Sequence, residues 1–280
     1  MNELRKRLLH EMQFRNYSQR TIHSYISCLS GLGKYFNKSP DKITVEQVKQ
    51  YLHHRVTVEK VSVSIVNIII SAYKLLHRDV LKNETKEIDI KRPRREKKLP
   101  VILSRDEINK IIEVTPNIKH KSILMIIYSG GLRISESINL KITDIDSKRM
   151  QICVRMSKGH KDRHTLLSRK ALELLRIYYK QFKPCTWLFE GFGHKQYSVT
   201  SIQKIFQRAI IKAGITKQAT VHTLRHSFAT HLLEQGVSIQ IIQILLGHSC
   251  LKTTCVYLHV QQYSIDKVVS PADYVDNVLL

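Results

Sequence analysis

Apolar positions recur at helical spacing through most of this 280-residue chain. Leu4, Leu8 and Met12 share one helix face. Ile22, Tyr25, Ile26 and Leu29 form a second stripe behind a cap at Ser18. The stretch "TVEQVKQYL" opens with Thr44 and Gln47 in capping-box spacing and carries Val45, Val48 and Leu52 inward. Ile65, Ile68, Ile69, Ala72, Leu75 and Leu76 make a fourth stripe, so the first 90 residues predict a compact four-helix module. "DIKRPRREKKLP" then breaks the periodicity with two prolines and a run of cations, a linker between domains. Ser104 and Glu107 start a second domain with another capping box. There the pattern predicts a helix around Ile123–Tyr128, a β-hairpin over 150–168 with Met150, Ile152, Val154 and Met156 inward, and helices over 169–182 and 200–213. A last helix runs from His222. The expected fold is mostly α with a small antiparallel β-sheet. Residues 1–90 form a helical domain, 91–100 a basic linker and 101–280 a mixed α/β domain.

Charge changes the picture. Lys and Arg number 46 against 23 Asp and Glu, a formal net charge of +23. That far exceeds the magnitude of about 2–8 that solubility asks of a small domain. The excess lies in both segments rather than in one tail, as in a protein gripping a polyanion over a long contact, so nucleic acid is the expected partner. No apolar run approaches the roughly 20 residues of a bilayer span, and no membrane partner is expected. "MNELRKRLLHEM" lacks the apolar core of a secretory signal. The five cysteines include no C-x-x-C pair, which implies neither a disulfide framework nor a zinc ribbon, and a reducing, cytoplasmic setting.

Four stretches carry candidate chemistry. In "HTLRHSFATHLLEQG" (222–236), at about 100° per residue, His222, Arg225 and His226 share one face while Leu224, Phe228 and Leu232 form the buried one. Ala229 would leave the polar face open to a bulky ligand, and His231 reads as a core histidine. "SGGLRISE" (129–136) sets Arg133 after a Gly-Gly turn, free to bind an anion or merely to pair with Glu136. The hairpin tip Ser157-Lys158-Gly159 holds Lys158 out from the sheet. "LLGHSCLKTTCVYLH" (245–259) ends a helix at Gly247, presents His248, and begins another element holding Tyr257 nine positions on. Cys255, about 200° from Tyr257 on a helix, would point to the core.

Together and in this order, G-L-R-x-S-E, S-K-G, H-x-L-R-H, L-L-G-H and Tyr resemble the tyrosine recombinases of the phage-integrase family, most of all their compact Xer-like members. The resemblance covers nearly the whole chain. It implies that Arg133, Lys158, His222, Arg225, His248 and Tyr257 form the catalytic set, with Tyr257 the nucleophile. It also implies a C-shaped clamp of a core-binding domain and a catalytic domain on double-stranded DNA. Four protomers would assemble on two duplexes and exchange strands through a 3′-phosphotyrosyl intermediate and a Holliday junction. A second recombinase or a DNA-bending protein is an open partner. "SPADYVDNVLL" (270–280), with Ser270 as cap and Pro271 at the first turn, is expected to be an assembly helix that docks on a neighbouring protomer or on its own domain.

The residue types suit that reaction. Two guanidiniums can fork onto the non-bridging oxygens of a pentacoordinate phosphorus. His248 can add a hydrogen bond, His222 is placed to accept the tyrosine proton, and Lys158 can protonate the leaving 5′-oxygen. With arginines doing what Mg²⁺ does in many nucleases, no cofactor or metal is called for. No G-x-x-x-x-G-K-[ST] loop is present. The rival readings are a type IB topoisomerase, which shares the chemistry, and a non-catalytic DNA-binding protein. A zinc hydrolase is a third, but it lacks H-E-x-x-H and an evident third ligand to join His222 and His226.

Overall fold

The computed structural model describes residues 3–83, 89–94, 99–155 and 162–259. The chain divides into two compact units, Met1–Lys97 and Lys98–Leu280. Lys158 and Met156, and the expected helix over 270–280, lie outside the described residues.

In the first unit, α1 (Glu3–Phe14) buries Leu8 and Met12, and α2 (Gln19–Phe36) buries Ile22, Leu29 and Leu32. Ser18 accepts a hydrogen bond from the Thr21 amide, as an N-cap must. Thr44 and Gln47 close the capping box of α3 (Val45–Thr57), which turns Val48, Tyr51 and Leu52 inward. α4 (Val63–Leu75) packs on α2 and runs on into a π-helical turn, Leu76–Val80. Its stripe is rotated from the expected one. Ile65 is exposed and Ile68 half-buried, while Val66, Asn67, Ile70 and Tyr73 join Ile69, Ala72 and Leu75 in the core. The sequence could not choose, because an apolar residue stands at almost every position from Val63 to Ile70. The basic stretch that follows is partly anchored. Ile90 is buried in the same core, and Arg92 donates to the carbonyl and side-chain oxygens of Asn67 and to Ser71 Oγ.

The second unit opens with α5 (Arg105–Glu113), capped reciprocally by Ser104 and Glu107. α6 (Ile118–Ser129) is apolar on more than one face because α8 (Arg169–Phe182) and α10 (Val221–Glu234) both cover it. After the Gly130-Gly131 turn comes the short α7 (Ile134–Asn139). The sheet has three antiparallel strands in the order β1 (Ile145–Asp146), β2 (Gln151–Val154), β3 (Arg163–Leu166). The hairpin pattern predicted β2 and β3; two-residue β1 is too short to show a period. Ile152 and Val154 are buried as expected, whereas Met150 sits half-exposed in the turn at φ 55°. α9 (Val199–Lys212), α11 (Ile239–Leu246) and α12 (Leu251–Thr254) complete the unit, with a 3₁₀ segment Cys255–His259 following α12 directly. No single helix among the described residues is long and apolar enough to cross a membrane.

α10 is the axis of this unit. Its buried residues lie all around it, from Val221 through Leu224, Arg225, Phe228 and Ala229 to Leu233. Ala229 is therefore closed in rather than open to a ligand, because α6, α9, α11 and the 3₁₀ segment all pack on this helix, whereas Leu232 is only half-buried. Ser227 Oγ accepts from the Leu103 amide, tying the start of the unit to its axis. His231 is a satisfied core histidine, its Nδ1 2.9 Å from the Tyr128 hydroxyl.

Gly131 lets α7 start close against α10. It has φ 59°, and a Cβ there would meet Phe228 Cδ1 at 2.3 Å. Gly131→Ala should cost the left-handed penalty of about 1–2 kcal/mol and an overpacking penalty of about 1–3 kcal/mol. Gly193→Ala, with φ 65° and open space around it, should cost only the first. Urea unfolding of both variants checks this; equal losses would contradict the packing account.

Candidate active site

The centre of the site is a carboxylate. Glu136, in the first turn of α7, is buried and faces three arginines. Arg163 of β3 forks onto it, Nη1 to Oε1 at 2.8 Å and Nη2 to Oε2 at 2.7 Å. Arg133, the N-cap of α7, gives its backbone amide to Oε2 at 2.8 Å and Nη1 to Oε1 at 2.6 Å. Arg225 Nη1 stands 3.5 Å from Oε2. Burial alone would push the Glu136 carboxyl up, but the hydrogen bonds and charge of Arg163, the Arg133 amide and Arg225 hold it down to about 2.

The guanidiniums are held by backbone as well. Arg163 Nε donates to the Leu245 carbonyl, and Arg225 donates to the carbonyls of Gly131 (2.8 Å) and Leu246 (2.6 Å). These carbonyls belong to the Gly-Gly turn and the C-terminal end of α11, so the two glycine motifs serve the arginines directly. At Gly247 (φ 62°) a Cβ would meet Arg163 Cδ at 2.7 Å. Arg225 is 1% exposed. Burial first, then the charges of Arg133 and Arg163, bring it down to about 9 against the pull of Glu136, which still leaves it cationic at neutral pH.

His248 Nε2 lies 3.1 Å from Arg225 Nη2, and its Nδ1 3.0 Å from Thr254 Oγ1. A guanidinium only donates, so Nε2 accepts and Nδ1 carries the proton. Burial, then Arg225, Arg133 and Arg163, hold His248 down to about 4. On α10 the exposed His222 ring meets His226 edge-on, with centroids 4.5 Å apart. Burial of its inner side, Arg225 and Arg133 lower His222 as well. His226 Nδ1 lies 3.0 Å from the Tyr257 hydroxyl. Tyr257 is 2% exposed, packed in a cluster with Phe228, Leu246 and Ile242. Burial raises its hydroxyl's value, against the lowering fields of Arg225 and Arg133.

Arg133, His222, Arg225, His248 and Tyr257 thus join one network, through Glu136 on one side and His226 on the other; Lys158 lies outside the described residues. The hydroxyl's partner is His226 rather than His222, because the position one turn further along α10 faces the 3₁₀ segment. Cys255 is only half-buried, and it is Tyr257 that turns inward, since the helix gives way to 3₁₀ geometry at Cys255. Sequence reasoning left Glu136 as a mere ion-pair partner and missed Arg163. The signal for Arg163 was present: it occupies an inward position of a strand, alternating with the exposed His164 and Leu166.

Among the described residues, Cys185, Glu190 and His194 place metal-type ligand atoms within 4.8 Å of one another. There Glu190 already accepts the amides of Cys185 and Thr186 and pairs with His194 Nδ1, so it is satisfied as a staple of its loop.

Glu136 sits below the value of an unfolded glutamate, near 4.5. Its stabilising contribution is therefore complete above that pH and lost as pH falls toward 2. Glu136→Gln should cost about 3–5 kcal/mol at pH 7, the penalty of uncompensated buried charge, with a smaller deficit at pH 3. Denaturant titrations at the two pH values measure this, and a deficit independent of pH would contradict the assignment.

Residues 102–263 match the model of the phage integrase family, and residues 4–87 that of the phage integrase N-terminal SAM-like domain. A putative integrase/recombinase of Sinorhizobium fredii, y4qK, is 37% identical over 97% of this chain and 89% of its own length. Tyrosine recombinase XerA of Pyrococcus horikoshii is 33% identical over 96% of this chain and 93% of its own. A XerH site-specific recombinase, solved bound to its palindromic difH substrate after cleavage, shares the fold. It has a TM-score of 0.72 at 24% identity, covering 89% of this chain and 78% of that one. The chain belongs to the phage integrase family and is a tyrosine recombinase of the Xer/integrase type.

Proposed function

We propose that this protein cuts and rejoins DNA strands at specific sites, with Tyr257 attacking a backbone phosphorus to form a 3′-phosphotyrosyl bond. The observation that carries this reading is the cationic centre beside a tyrosine hydroxyl. Arg133 is fixed by Glu136 and Arg225 by the carbonyls of Gly131 and Leu246, and the fields of both reach Tyr257.

Attack on a phosphodiester gives a pentacoordinate centre with one more negative charge than the ground state. Donors already locked in place stabilise that charge without reorganising when it develops. Arg133 and Arg225 supply such donors for the non-bridging oxygens. His248, bound to Arg225 in the DNA-free state, can turn Nε2 to the phosphate once it gains a proton. His222, exposed on the same helix, can add a further hydrogen bond. Lys158 is assigned the proton for the leaving 5′-oxygen, as its motif in the sequence implies. A phosphodiester is exchanged for a phosphotyrosine of similar energy, so religation to a second strand needs no nucleotide.

Double-stranded DNA suits the net charge of +23, as phosphate contacts from both units would use it. In this reading 1–90 is the core-binding domain and 101–280 the catalytic domain. Four protomers pair two duplexes and pass through a Holliday junction, and the 270–280 segment serves assembly. The cytoplasm is the compartment assigned in this reading.

On a nicked duplex carrying its site, the protein should form a covalent adduct that Tyr257→Phe abolishes and EDTA leaves intact. Arg225→Ala should slow adduct formation about 10²–10³-fold. Denaturing gels read all three. An adduct surviving in Tyr257→Phe, or one lost to EDTA, would overturn the reading.

A further inference from the structure

The Tyr257 hydroxyl must lose a proton as it attacks, and the group that touches it stands outside the six residues assigned above. We propose that His226 is a catalytic residue that holds the Tyr257 hydroxyl and takes its proton. The inference rests on Tyr257 being the nucleophile.

His226 follows Arg225 directly on α10, so the arginine that would grip the phosphate and the imidazole that holds the phenol move as one rigid unit. The hydroxyl lies 3.0 Å from Nδ1, with ring centroids 5.7 Å apart. The His222 ring stands nearly perpendicular to the imidazole with centroids 4.5 Å apart, and His226 lies within the electrostatic reach of His248. With its proton on Nε2, the ring offers Nδ1 a lone pair aimed at the hydroxyl. His222, the expected acceptor, packs on the imidazole, and the hydrogen bond of the phenol is to His226.

The charged and titratable groups around His226 are His222 and Arg225 on its own helix, Tyr257 on the 3₁₀ segment and His248 at the corner after α11. Burial, then His222 and Arg225, keep His226 neutral at pH 7. A bound phosphate places negative charge among the arginines and so raises the basicity of the ring. The base thus strengthens when substrate arrives, while the buried phenol stays protonated until then.

The step balances. The Tyr257 O–H bond breaks as the bond from its oxygen to phosphorus forms, and the proton passes to Nδ1, giving an imidazolium. The bond from phosphorus to the 5′-oxygen breaks, and that oxygen takes a proton from Lys158. On religation the incoming 5′-hydroxyl returns a proton to Lys158, and the departing phenolate recovers its own from His226.

His226→Asn keeps a polar atom near the position of Nδ1 but cannot carry a proton, and His226→Ala removes both functions. Adduct formation on a nicked duplex in single turnover, at saturating protein, should fall about 10²–10⁴-fold in each. Affinity for the same duplex should stay unchanged. The wild-type rate should be nearly flat from pH 7 to 9. In His226→Asn it should climb about tenfold per pH unit, because hydroxide must then remove the proton from a phenol whose free value is near 10. A wild-type rate in His226→Asn, or a slow rate with the wild-type pH profile, would overturn the proposal. Tyr257→Phe in the same assay separates the cases: an adduct there sinks the nucleophile reading itself, whereas no adduct there with a normal His226→Asn sinks only the role of His226.

Discussion

One buried carboxylate among three guanidiniums organises the second unit. Burying charge is costly unless it is paired, and breaking such a pair strands what remains. Glu136 meets this constraint by binding Arg163 in a fork, Arg133 through both backbone and side chain, and Arg225 at longer range. Four elements are tied in this way: α7, β3, α10 and the end of α11. The bookkeeping is left incomplete, since one anion faces three cations. The centre is short of negative charge, and its geometry is already set before any phosphate arrives. That is the arrangement in which electrostatic stabilisation of a phosphoryl transition state is strongest.

Burial first, and the same cations behind it, set the titratable groups around this centre. His226 and His248 are each held near 4, first by burial and then by neighbouring cations or histidines, and are neutral at physiological pH. Tyr257 is driven the other way, because burial outweighs the arginines. The Tyr257 hydroxyl is therefore protonated at neutral pH, buried and in hydrogen-bond contact with His226. A phosphate bound among the arginines would make both imidazoles more basic and would also weaken the field that favours the Tyr257 phenolate, so removing that proton would fall to a base in contact with the hydroxyl.

Much of this was legible in the sequence, for identifiable reasons. The capping boxes at Thr44 and Ser104, the C-cap at Gly247 and the amphipathic stripes of α1 and α2 each rest on local rules, and local rules survive folding. The motifs around Arg133, Arg225 and Tyr257 were legible because their residue types are unusual together. Where several elements cover one helix, projection on a wheel fails. α4 is apolar at all but two positions from Val63 to Ile70, and α10 is enclosed on nearly every side, so neither the exposed Ile65 nor the buried Ala229 could be read from period alone. The long-range partners were hidden for a different reason. Arg163 lies 27 residues from Glu136, and His226 lies 31 from Tyr257, so no spacing rule connects them. The change from α to 3₁₀ geometry at Cys255, which turns Tyr257 inward, leaves no periodic trace over so short a segment.

The central claim is that one phosphorus sits between the guanidiniums fixed by Glu136 and the hydroxyl of Tyr257. The most direct measurement is a crystal structure of the protein on a duplex gapped at the scissile phosphate, with orthovanadate in place of the missing phosphoryl group. The account predicts a trigonal-bipyramidal vanadate with Tyr257 Oη at one apex, equatorial oxygens on Arg133 and Arg225, and the three arginines still gathered on Glu136. A vanadate bound away from those two guanidiniums, or one whose apical protein oxygen is not that of Tyr257, would contradict it.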